Sequence, residues 1–154
     1  MIASRVRLFL FTIVLLAIPL ETLMAGEHEL VVITSTKNNF APIARDDLRR
    51  LFLGIKPKHT DIKITPINNK SENILYEVFL QKVIRMSAVA YERHLLSKVF
   101  THGTQRIKTT EEYANLLKEL EYNENAISFV WANDLKKNPD IRVVQSIWKG
   151  QISQ

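Results

Sequence analysis

Apolar positions along this chain alternate between two spacings. Glu29–Ser35, "ELVVITS", is a β-branched apolar run closed by polar residues, which predicts a buried strand. In "RDDLRRLFLG", Leu48, Leu51 and Phe52 fall on one helical face. Asp46 and Asp47 stand near the start and Gly54 marks the stop. Ile62–Ile67, "IKITPI", alternates and predicts a second strand with Pro66 at its exit. After the polar loop Asn68-Asn69-Lys70-Ser71, Leu75, Val78, Phe79, Val83 and Met86 recur at spacings of three and four, a core-facing stripe. Ser87 is placed to cap a further helix, "AVAYERHLLSKVF", that Gly103 ends. "TTEEYANLLKEL" predicts another helix, capped by Thr109 or Thr110, with Glu111 and Glu112 in its first turn. "AISFVWA" and "IRVVQSI" predict the third and fourth strands.

Strands alternating with helices predict an α/β domain with a small, mainly parallel sheet flanked by helices. The spacing places Leu51, Phe52, Leu75, Phe79, Phe100, Ile127 and Phe129 in one core. Ligands of such sheets gather beyond the carboxyl ends of strands, where helix N-termini point. The candidate ligand positions are therefore Asn68, Asn69, Lys70 and Ser71, with Ser35 at the end of the first strand.

The first residues belong to a different pattern. Arg5 and Arg7 precede an apolar run, Leu8 to Leu20, and the small residues Ala25 and Gly26 follow. This is the layout of a secretory signal peptide, with residues 1–25 removed and residues 26–154 forming the domain. The run is shorter than the roughly 17–25 apolar residues of a comfortable membrane span. The expected location is the periplasm; the alternative is a domain anchored by an uncleaved N-terminal helix. The chain has no cysteine, so stability must come from apolar packing.

The whole chain carries a formal charge of +5, with basic residues scattered among acids, as in "DDLRRL" and "DLKKNPD". Nucleic-acid binding needs a dense basic face with stacking aromatics, and neither is present. The four histidines are far apart in sequence, and there is no nucleophile elbow, Walker loop or dinucleotide fingerprint. Neither catalytic residues, a cofactor nor a metal site is expected. Asp46-Asp47 and Glu111-Glu112 sit where helix starts favour acids.

The loop after the second strand admits two roles. Its helix N-terminus offers unpaired N–H groups and a favourable dipole, Ser71 and Asn69 can donate hydrogen bonds, and Lys70 adds charge. Alternatively Ser71 caps its own helix, Asn69 and Glu72 have capping-box spacing, and Glu72 repels a second anion. On the residues alone, capping is the simpler reading.

Several segments, in order, resemble the short phosphate ABC transporter substrate-binding-like proteins, exported domains similar to one lobe of the phosphate-binding periplasmic protein. They are "LVVITS", "DDLRRLFLG" with Leu48, Phe52 and Gly54, "ITPINNKSENILYEVFLQKVIRMS" with Phe79, "YERHLLSKVFTHG", and "NENAISFV". The resemblance covers nearly all of Leu30 to Val144. It departs at His102, which interrupts a Phe-Thr-Gly, at Ile127-Ser128-Phe129 in place of Ile-Gly-Tyr, and in the loop, which lacks the family's Arg and Ser-Gly-Thr. Arginine supplies planar, bidentate anion recognition that asparagine cannot.

The resemblance implies a single periplasmic-binding-protein-like lobe and extends the candidate ligand site to Asn73, since either Ser71 or Asn73 stands where the family has its serine. The function expected is an exported, non-catalytic domain that binds phosphate or another small anion for transport or sensing. The alternative is a periplasmic protein-interaction or sensor-accessory module, with a membrane or periplasmic protein partner and no small ligand.

Overall fold

The structure, a computed structural model, describes residues 26–135 and 138–152. The predicted signal peptide lies outside the described residues. Among them, no helix is long and apolar enough to cross a membrane.

Five strands form one sheet in the order β3-β2-β4-β1-β5. They are β1 (His28–Ser35), β2 (Thr65–Asn69), β3 (Lys108–Thr110), β4 (Ala126–Trp131) and β5 (Ile141–Gly150). β2 pairs parallel with β3 and β4, and β1 pairs antiparallel with β4 and β5. Four strands therefore share one direction, and β1 runs against them. The predicted α/β sheet flanked by helices is the architecture found; the sheet is mixed, because β1 is antiparallel to both of its neighbours.

β1 is apolar at every position from Leu30 to Ile33 because both faces of the sheet are covered. Leu30 and Val32 meet one layer, and Val31 and Ile33 meet the other. The first layer holds α1 (Arg45–Phe52), α2 (Asn73–Phe79), a π-helical turn (Leu80–Ile84) and α3 (Ala88–His102). Phe79 stacks on Phe129 of β4 with ring centroids 3.6 Å apart, and Phe52 meets both rings edge-on. The second layer is α4 (Tyr113–Tyr122), whose Leu116 and Leu120 cover Val31, Ile33, Ile67 and Val130.

Several expectations need correction. Phe100 is 83% exposed on the outer face of α3, so it is not a core residue. Asn68 and Asn69 belong to β2, where they pair with Thr109 and Thr110 of β3. Thr109 and Thr110 form β3 instead of capping a helix; α4 starts after Glu112, which makes no side-chain cap. Asp47 does not cap α1. Its buried carboxylate accepts from the Lys58 and His59 backbone N–H groups at 2.6 and 2.9 Å, tying the following loop to the helix. Ser87 does cap α3, accepting from Ala90 N, and Gly103 ends it at φ +60°.

Candidate functional site

The sequence-predicted loop lies at the carboxyl end of β2, between β4 and the start of α2. Side chains alternate along β2, and this fixes what each polar residue meets. Asn68 points into the α3 layer, where its amide oxygen is 3.1 Å from the Tyr91 hydroxyl. That hydroxyl is also 2.6 Å from the Phe52 carbonyl. It has one proton, and the shorter contact is the better claimant. Turning the Asn68 amide by half a rotation lets its otherwise unpartnered nitrogen donate to the phenol oxygen, completing a chain from Asn68 through Tyr91 to Phe52.

Asn69 is fully buried. Its amide nitrogen donates to Phe129 O at 2.9 Å, and its oxygen accepts from Ser71 N at 3.0 Å. Lys70 N donates to Thr110 O at 2.8 Å, extending the β2–β3 pairing by one residue. The Lys70 ammonium sits 2.5 Å from Glu92 of α3 and 5.0 Å from the Tyr76 ring centroid. Burial, and then Glu92, push the Tyr76 phenol upward; burial does the same for Tyr91, so both stay neutral near pH 7.

Ser71 makes no cap. The residue before α2 is Glu72, in an extended conformation with no side-chain capping bond. The first α-helical bond runs from Tyr76 N to Glu72 O, so Asn73, Ile74 and Leu75 offer the unspent N–H groups. Glu72 instead accepts from the Trp131 indole at 3.1 Å. Its charge reaches Asp134, whose carboxyl is raised first by burial and then by Glu72. The mouth of the loop is thus acidic.

The structure brings Asn68, Asn69, Lys70, Ser71 and Asn73 together but leaves Ser35 apart. Thr34 pairs with Ile127, which also lies level with Pro66. Ser35 is therefore level with the other end of β2, displaced from Asn69 by roughly 13 Å along the strands at ~3.3 Å per residue and by the width of β4 across them. There its hydroxyl accepts from Lys37 N at 3.3 Å.

Among the described residues, no three His, Cys, Asp or Glu side chains gather as a metal site. His94 makes a structural contact, 3.0 Å from Leu53 O. A second polar region escaped the sequence reading. Arg45 and Arg49 of α1, Lys82 of the π-helical turn and Arg85 just after it line a cavity of about 520 Å³. The i, i+4 spacing of the two α1 arginines was the visible signal; the facing pair becomes a neighbour only through the fold.

No family model and no curated protein matches the sequence. The fold has solved counterparts. A protein described as a phosphate ABC transporter substrate-binding protein from Clostridium perfringens, solved with bound phosphate, is 13% identical with a TM-score of 0.54. The match covers 79% of this chain and 46% of that one. An ABC-type phosphate transport receptor from Vibrio cholerae matches at 11% identity and TM-score 0.48, over 79% of this chain and 47% of its own. The substrate-binding domain of a protein described as a molybdenum ABC transporter, from Clostridium difficile, matches at 15% and 0.46, over 79% and 44%. The chain spans about half the length of these proteins. The Clostridium perfringens match gives the fold: one lobe of the periplasmic-binding-protein kind.

Proposed function

We propose that this chain is an exported, non-catalytic binding-protein-like domain that works as a protein-interaction or sensor-accessory module, and that its Asn68–Asn73 loop is a structural join. The observation that supports this is the state of the loop's donors. Lys70 is neutralised by Glu92, both Asn69 amide groups are engaged, and Glu72 occupies the helix start with its own negative charge. An anion entering there would have to displace an ion pair and face a carboxylate.

Calorimetric titration with phosphate, sulfate and molybdate tests the reading. The expected result is no saturable heat with any of the three. Saturable phosphate binding that disappears in Lys70→Ala overturns it.

A second reading keeps a weak small-anion site at the start of α2, supported by the unspent N–H groups of Asn73, Ile74 and Leu75. It predicts salt-sensitive binding that strengthens in Glu72→Gln. The similarity in fold to transport receptors supports export and a membrane or periplasmic protein partner; sequencing the N-terminus of the purified protein tests cleavage after Ala25.

A further inference from the structure

We propose that the cavity between α1 and the π-helical turn binds an organic anion with a phosphate or carboxylate head and an apolar body. The inference stands apart from the reading of the Asn68–Asn73 loop and uses different residues.

Four cations line this cavity, and its one acid, Asp46, lies 3.7 Å from Lys58, a residue outside the lining. Among the described residues, Arg45, Arg49, Lys82 and Arg85 form no ion pair with a carboxylate. Arg49 is half-buried and the other three are exposed, so water screens their mutual repulsion, and the cavity keeps a net positive field. Two of the four are held by the backbone. The Arg45 guanidinium is anchored by one bond to Ile147 O, and the Arg49 guanidinium by one bond to Ile84 O, both at 2.9 Å. A guanidinium has five donors, so each anchor restrains the head group and leaves most of the fork unspent. Pre-oriented arginines lose little freedom when an oxyanion arrives.

The facing wall is irregular backbone. Arg85 N donates to Leu80 O at 2.6 Å, closing the wide π turn, and Arg85 itself adopts the left-handed conformation at φ 60°, ψ 44°. Both features are costly for the chain, and such insertions recur at functional sites. Here they place Lys82 and Arg85 opposite the α1 pair.

The floor supplies the second half of the specificity. Leu48, Val83 and Ile147 are buried apolar side chains that line the same space. Its volume lies within the roughly 300–1,000 Å³ of pockets that hold small organic molecules. Inorganic phosphate would meet the cations alone, whereas the methylene stems of Arg45, Arg49 and Lys82 join the edges of Leu48, Val83 and Ile147 as an apolar wall, so a phosphomonoester or carboxylate on a hydrophobic group fits better.

The test is calorimetric titration of the purified protein with 1-naphthyl phosphate and, separately, with inorganic phosphate. The expected result is saturable binding of one 1-naphthyl phosphate per chain, at least tenfold tighter than inorganic phosphate. Arg45→Gln and Arg49→Gln should each weaken it at least tenfold, and Lys70→Ala should leave it unchanged. Arg85→Gly guards against a trivial loss through unfolding, because glycine accepts the left-handed conformation without strain while removing the cation. It should keep the thermal midpoint and weaken binding at least threefold.

Co-sedimentation with phosphatidylglycerol vesicles separates a lipid head group from a free molecule. Vesicle binding that 1-naphthyl phosphate displaces supports the site with a lipid source; no vesicle binding supports a soluble one. Absence of saturable 1-naphthyl phosphate binding, or equal affinity in folded Arg45→Gln and Arg49→Gln variants, overturns the proposal.

Discussion

Lys70 at the end of β2 and Arg49 on α1 are both half-buried cations packed beside a helix, yet their surroundings differ in kind. Lys70 faces Glu92, lies over Tyr76, and stands one turn of chain from Glu72. Arg49 bonds a carbonyl and shares its cavity with three other cations and one carboxylate, Asp46. The difference teaches that the presence of a positive charge says little about anion binding. What matters is whether its hydrogen bonds and its field are already spent on the protein. The β2 loop has the location expected of a ligand site in an α/β sheet, but its donors are used. In the α1 cavity the arginine donors are mostly unspent, while Lys82 lies over the Trp148 ring, 5.5 Å from its centroid.

The largest expected effect comes from the element the two regions share. Phe79 ends α2, precedes the π turn, and stacks on Phe129 beneath both. Phe79→Ala should destabilise the fold by about 3–5 kcal/mol. Denaturant unfolding checks this, and a loss well under 1 kcal/mol would show that the two regions do not hang on a common core.

Tyr91→Phe comes next. It removes the donor to the Phe52 carbonyl and strands Asn68 in a buried position, at a cost of about 1–3 kcal/mol. Asn68→Leu in the Tyr91→Phe background should recover part of that cost if the pair acts as a unit. Strict additivity in a double-mutant cycle would contradict the coupled chain.

These two sites also show how far the sequence was legible. The stripe Leu75, Val78, Phe79, Val83 and Met86 was readable because a buried helix face repeats every three or four residues; the structure buries the first four and half-buries Met86, which follows the left-handed Arg85. The same periodicity misplaced Phe100, since an apolar residue at helical spacing is not obliged to face the core. Asn68 and Asn69 read as a loop because polar residues usually mark strand ends. Their true role depends on Tyr91 and Phe129, residues remote in sequence that only the fold brings near. β3 was missed for a related reason: three residues, Lys108–Thr110, have no period, and the parallel pairing with β2 makes them a strand. The sense of β1 was equally hidden, because an apolar run carries no direction. That hidden antiparallel course is what removes Ser35 from the candidate site.

A third effect appears only in acid. The Lys58 N–H holds the Asp47 carboxyl below its ordinary value, against the upward push of burial and with added help from His59. A depressed carboxylate contributes stability that is present above its unfolded pKa, about 3.9. That contribution is lost as pH falls through the lower folded value. Asp47→Asn should therefore be less stable than the parent near neutral pH, with the gap narrowing in strong acid. A gap that stays constant from pH 7 to pH 2 would contradict the assignment.

The smallest effect is expected at the ion pair itself. Lys70 and Glu92 are each about a third exposed, so Lys70→Ala should change stability by less than about 1 kcal/mol. A much larger loss would mean that the loop depends on this pair as a buried anchor.

The most direct measurement is a residue-resolved one. Amide spectra of the ¹⁵N-labelled protein, titrated with 1-naphthyl phosphate, report both regions at once. The account predicts saturable shifts at Arg45, Arg49, Lys82 and Arg85, with Ser71, Asn73 and Ile74 unmoved. Shifts centred on Ser71 to Ile74, with the α1 and π-turn amides silent, would contradict it.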